Sequence, residues 1–146
     1  MKKVLIMMTL VATLVGCCAK KPHYENVDAY PAKEGSLEEM VYSAEKTDFS
    51  VWSPNADSVY LNLYADATTA EPLERLAMKS QKEGSWTMTA KGDLQGQFYT
   101  FQVVEADSRW TLHETPGIFA KAVGVNGHRA AIIDLASTNP MGWEED

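Results

Sequence analysis

Residues 49–64 read FSVWSPNADSVYLNLY, two short alternating runs parted by Ser-Pro-Asn-Ala-Asp. Phe49 and Val51 fall on one side of the first run, with Ser50 and Trp52 opposite. In the second run Val59, Leu61 and Leu63 share a face, and Tyr60, Asn62 and Tyr64 share the other. A period of two is the mark of a half-buried strand. Pro, Asn and Asp supply the turn between, Pro by fixing φ and Asn and Asp by bonding their own backbone.

The same period runs outward in both directions. Leu76 and Met78 alternate in PLERLAMKS, Trp86, Met88 and Ala90 in SWTMTA, and Tyr99, Phe101 and Val103 in FYTFQVV. Turn-forming clusters separate them: KEGS, KGDLQG, EADSR and VNGH. Asn126-Gly127 predicts a hairpin between residues 122–125 and 129–135, because both residue types tolerate positive φ. TTAEPLERLAM comes nearest to a helical pattern, and Pro72 argues against it. Short strands at even spacing without a long helix predict an all-β fold, a β-sandwich of about seven to eight strands.

At 146 residues, with 45% hydrophobic and 23% charged side chains, the chain suits one globular domain. It is too short to hold a (β/α)₈ barrel as well, which takes about 250 residues. The formal net charge is -7, and no basic cluster offsets it. Phosphate backbones are repelled by such a surface, so nucleic acid is not an expected partner.

The N-terminus has its own logic. Lys2 and Lys3 precede an apolar or small run over residues 4–16, too short to span a bilayer and laid out like a secretory signal peptide. Leu14-Val15-Gly16-Cys17 resembles the lipobox of bacterial lipoproteins, which implies lipid attachment at Cys17 and a signal peptide of residues 1–16. Loss of that leader takes the 13 basic residues to 11 against 20 acidic ones, a balance of -9. Cys18 is not Asp, so the usual inner-membrane retention signal is missing; an outer-membrane lipoprotein is expected, periplasmic or surface side left open. Cys17 and Cys18 are the only cysteines and are adjacent, so no disulfide framework is expected. His23, His113 and His128 show no ligand spacing, and neither a metal nor a cofactor is expected. Residues 17–35 are polar with two prolines and read as a tether, the alternative being an edge strand near residues 27–30.

FSVWSPNA at residues 49–56 resembles the opening of the immunoglobulin-like, early-set module (carbohydrate-binding module family 48) of glycoside hydrolase family 13 α-glucan enzymes. GDLQGQFYTFQV, and then HETPGIFAKAVGVNGHRAAIIDLASTNPMGWEED, resemble the stretch of type I pullulanases that closes this module and leads into the catalytic barrel. The resemblance implies an immunoglobulin-like sandwich over residues 36–137, with residues 138–146 as the start of a linker to an absent catalytic domain. Pullulanases hydrolyse α-1,6 bonds of pullulan, starch and glycogen with barrel residues that have no counterpart here. The chain alone is therefore expected to be no enzyme, with no catalytic residue. Its implied partners are the catalytic barrel, α-glucan, and the membrane through Cys17.

For the sugar, the resemblance points to Trp110, placed where related glycogen-binding modules carry a Trp in an Asp-Gly-x-Trp hairpin, and to Asn126 near a polar contact of those modules. The second Trp of those binders has no match in YADATTAEP, so packing at the sandwich edge remains the alternative for Trp110. A free-standing starch- or glycogen-binding lipoprotein, or an immunoglobulin-like structural or adhesion domain, stay open beside the pullulanase module.

Trp52 and Trp86 have strand periodicity and read as core or interface packing. Tyr60 and Tyr64 read as the surface that the barrel covers. Glu38-Glu39 and the terminal acids do not read as a hydrolytic carboxylate pair, because adjacent acids on a strand or tail point apart or stay solvated. His113-Glu114 lacks a nucleophile motif beside it. Trp143 belongs to the segment expected to dock on the barrel.

Overall fold

The computed structural model describes residues 21–35, 37–105, 114–140 and 142–143. Among the described residues eight strands form two antiparallel sheets: β1 (Met40–Tyr42), β2 (Lys46–Trp52), β3 (Ser58–Tyr64), β4 (Glu74–Ala77), β5 (Lys79–Ser80), β6 (Ser85–Lys91), β7 (Phe98–Val104) and β8 (Ala130–Ala131). One sheet has the order β1-β2-β6-β5 and the other β4-β3-β7-β8. The expected all-β immunoglobulin-like sandwich is what forms.

The period-two pattern positions the core. In the first sheet Phe49 faces Met88 and Val51 faces Trp86; in the second Val59 faces Val103, Leu61 faces Phe101, and Leu63 faces Tyr99. These inward residues are buried, apart from half-buried Met88, and meet between the sheets with Met40, Ala90 and Ile132. Tyr99 ties the layers, meeting Phe49 edge-on at 5.1 Å and Phe101 at 5.4 Å. Each such ring contributes roughly 1.5–3 kcal/mol by leaving water. Burial, and then the charge of Glu39, push the Tyr99 hydroxyl above its ordinary range.

Among the described residues the chain passes between sheets at three connections. After Trp52, Ser53 N–H donates to Gly84 O (2.9 Å) and Trp86 Nε1 donates to Ser53 O (3.0 Å), so the turn after β2 is bolted to the start of β6. Gly84 has φ +73, and a Cβ there would strike Pro54; both facts require glycine. The chain then passes from β4 to β5 and from β6 to β7.

The two tryptophans part company. Trp86 lies in the core, whereas Trp52 sits half-buried on the outer face, its Nε1 donating to Glu83 O (2.9 Å) and its ring edge-on to Tyr30 at 5.7 Å. Residues 21–35 carry a 3-10 turn at Val27–Ala29, not a strand, and send side chains onto the sandwich.

Candidate functional site

The outer face of the second sheet carries a polar knot. Asn62, Tyr64 and Thr100 point away from the core yet are only 2%, 1% and 0% exposed. Register explains their meeting: Asn62 faces Thr100 across β3 and β7, and Tyr64 faces Phe98 at the end of the ladder. All three donate to one carboxylate. Tyr64 Oη lies 2.6 Å and Thr100 Oγ1 2.8 Å from Glu114 Oε2, and Asn62 Nδ2 lies 3.2 Å from Glu114 Oε1. Burial, followed by the bond to Glu114, raises the Tyr64 hydroxyl above its usual range.

The Tyr64 ring has a second task. The Arg129 guanidinium lies 3.5 Å from its centroid, and Arg129 Nη1 donates to Asp66 O (3.0 Å). Asp66 in turn accepts from the N–H and hydroxyl groups of Thr68 and Thr69, which hold its carboxyl well below the usual carboxylate range. One tyrosine thus fastens residue 114 by its hydroxyl and residue 129 by its face.

Between them runs the turn bearing Asn126. Asn126 (φ +58) and Gly127 (φ +67) are both left-handed, Gly124 N–H donates to Arg129 O (2.8 Å), and Ala131 N–H donates to Ala122 O (2.9 Å). The hairpin expected at Asn126-Gly127 is therefore present as a tight turn, although β8 pairs with β7 and only the bridge of Val123 with Ala130 joins its own arms. Gly124 packs on Ala67 and Phe98, which seats the turn beside the end of β3 and leaves Asn126 exposed at its tip. Trp110 and Cys17 lie outside the described residues.

A second constellation sits at the sandwich edge. Glu39 is 1% exposed, and its carboxylate accepts from Ile118 N–H (3.2 Å) and Phe119 N–H (2.8 Å). Burial raises its pKa, and the Phe119 and Ile118 N–H groups pull the other way. Gly117 has φ +92, and a Cβ there would overlap the Glu39 carboxylate. Glu38 and Glu39 point apart, as adjacent acids on a strand were expected to: Glu39 turns inward to these N–H groups, while exposed Glu38 points toward Lys121 (3.6 Å). Beside Glu39 opens a largely apolar groove of about 590 Å³, lined among others by Tyr30, Leu37, Val51, Trp52, Ile118 and Phe119. Ile118 is 83% exposed. Phe119, Val123, Val125, Leu135 and Trp143 are exposed as well, so the chain after β7 presents apolar side chains to solvent.

Sequence reasoning missed the roles of Glu39 and Glu114. Gly117 was the available signal for the first: a glycine in a loop that accepts no Cβ implies something packed against it. Tyr60, expected on a covered surface, is half-buried under Arg75, whose guanidinium lies 4.1 Å from its ring. Among the described residues, no group of three or more His, Cys, Asp or Glu is placed to hold a metal.

The family model of carbohydrate-binding module 48 (isoamylase N-terminal domain) matches residues 36–116. The chain belongs to this family. A pullulanase of Bacillus subtilis (strain 168) is 33% identical over 93 residues, covering 64% of this chain and 12% of that one. The solved pullulanase of Paenibacillus barengoltzii, in complex with maltohexaose and α-cyclodextrin, is 40% identical, with a TM-score of 0.74 over 82% of this chain and 18% of that one. The pullulanase of Bacillus acidopullulyticus is 30% identical, with a TM-score of 0.73 over 81% of this chain and 14% of that one. This carbohydrate-binding module 48 thus spans less than a fifth of the relatives it matches. The resemblance to the pullulanase module expected from FSVWSPNA and the residues after β7 is borne out.

Proposed function

We propose that the chain is the non-catalytic module of a type I pullulanase-like debranching enzyme, packing on the catalytic barrel and contacting α-glucan. The observation that carries this is the 40% identity, over 82% of the chain, to a pullulanase solved with maltohexaose and α-cyclodextrin. Contact with glucan is assigned to Trp110, whose flat ring suits the apolar face of a glucose unit, and to Asn126, whose amide suits its hydroxyls. Fitting this reading, the Tyr64 knot holds Glu114, four residues beyond Trp110, and Arg129, three beyond Asn126. The exposed side chains of Ile118, Phe119 and Trp143 are assigned to the barrel. Export as a lipoprotein anchored at Cys17 completes the reading.

Isothermal titration with maltoheptaose tests the glucan contact: binding by the chain, lost in Trp110→Ala and weakened in Asn126→Ala, is expected. No heat in either the chain or a barrel-fused form overturns it. Debranching of pullulan by the chain alone would overturn the non-catalytic assignment.

A further inference from the structure

Residues 21–30 do not hang free of the sandwich. Lys21 Nζ donates to Asp57 O (3.0 Å) and lies 3.7 Å over the Trp86 ring. The Asn55 side chain brackets Tyr24: its Oδ1 accepts from Tyr24 N–H (2.9 Å) and its Nδ2 donates to Tyr24 O (2.8 Å). The same Nδ2 reaches Tyr30 Oη at 3.3 Å, and Tyr24, Tyr30 and Trp52 follow one another in edge-on contacts of 5.7 Å. Lys21, Pro22 and Tyr24 wall one small cavity together with Pro54, Ala56 and the connection at Gln81–Gly84. The sandwich side of this cavity is held together by the packing of Gly84 on Pro54 and by the bond from Trp86 Nε1 to Ser53 O. An amide with both its groups engaged by one backbone residue is a built seat for this segment.

Only residues 18–20 separate Lys21 from Cys17. Four residue steps span at most about 14 Å even when fully extended. The Asn126 turn, by contrast, lies beside Tyr64 and Phe98, at the opposite end of β3 and β7 from Ser58 and Val104. A seven-residue strand separates the two ends by about 20 Å.

We infer that residues 21–30 are a strap that stands the module end-on against a lipid surface. The end formed by Pro54, Ala56 and Lys82–Gly84 faces the lipid headgroups, and the Asn126 end faces away into solvent. The strap replaces a swinging tether by a short one, so the glucan-facing end is presented outward at a fixed height. This rests on the lipid anchor proposed at Cys17.

The test uses the full chain, exported and processed in a bacterial host, in a Cys18→Ser background. A fluorophore is placed through Lys82→Cys, in the turn before β6, or Lys91→Cys, at its far end, and the protein is held in phosphatidylglycerol–phosphatidylcholine vesicles carrying nitroxide headgroups. Quenching several-fold stronger at position 82 than at position 91 is expected, with the difference shrinking in Asn55→Ala. Lys21→Ala serves the same purpose if Asn55→Ala does not fold. Incorporation of an alkynyl palmitate, lost in Cys17→Ala, is read in parallel. Equal quenching at both positions in a chain that takes the palmitate overturns the orientation alone. A chain that takes no palmitate overturns the anchor and the orientation with it.

Discussion

Tyr64→Phe isolates one hydroxyl in the polar knot. The substitution keeps the buried ring and its contact with Arg129, and removes the donor 2.6 Å from Glu114 Oε2. A hydrogen bond to a charged group is worth about 1.5–3 kcal/mol. Thr100 and Asn62 still donate to the same carboxylate, which holds the expected loss to about 1.5–2 kcal/mol, the lower part of that range. With a urea slope of about 1–2 kcal/mol per molar, the unfolding midpoint falls by roughly 1 M. The assay is a urea titration followed by tryptophan fluorescence, repeated for Glu114→Gln and for the double variant. Because the two groups touch, the cycle should show coupling of at least about 1 kcal/mol. A loss under about 0.5 kcal/mol, or strict additivity of the two variants, refutes the knot as a stabilising unit.

Two further outcomes follow from the same geometry. Gly117→Ala, which meets both a left-handed φ and the Glu39 carboxylate, should cost clearly more stability than Gly127→Ala, which meets the φ alone; thermal unfolding of the pair checks the order. Acid titration should separate two carboxyls of opposite sign. Glu39 is raised above its ordinary 4.5 mainly by burial, so its protonated form favours the fold, a gain fully present below that value and lost as pH rises through the folded pKa. Asp66 is depressed below its ordinary 3.8 by its Thr69 and Thr68 donors, so its contribution is present above that value and lost as pH falls. Melting temperatures taken from about pH 3 to 6 should therefore fall more steeply on acidification in Glu39→Gln, and less steeply in Asp66→Asn, than in the parent chain. Parallel curves for all three would show that neither carboxyl is linked to folding.

The inward faces were legible because one rule decides them: Val59, Leu61 and Leu63, and Tyr99, Phe101 and Val103, alternate since one side of each strand is apolar and the other is not. The outward faces obey no such rule. Asn62 and Tyr64 on β3 and Thr100 on β7 stand on the outward side, yet are buried around Glu114, which is 50 residues from Tyr64 in sequence. Glu39 likewise depends on N–H groups 79 and 80 residues away. Periodicity assigns a side chain to a face and carries no information on what a distant connection lays over that face. Trp52 and Trp86 show the same limit, since a shared reading covered two different fates. Asn126-Gly127, where the requirement is local and conformational, was legible in the sequence for the same reason that Glu39 was not.

Each sheet ends in stubs. The long ladders β2–β6 and β3–β7 are flanked by edge strands of three, two, four and two residues, at β1, β5, β4 and β8. An incoming strand from another copy needs a run of unpaired backbone groups to copy, and among the described residues no edge strand is longer than four residues. Short edges of this kind give little template for backbone-to-backbone pairing between crowded molecules. Exposed apolar side chains such as Ile118, Phe119 and Val125 lie outside the ladders, so single substitutions there can tune stickiness without touching a strand.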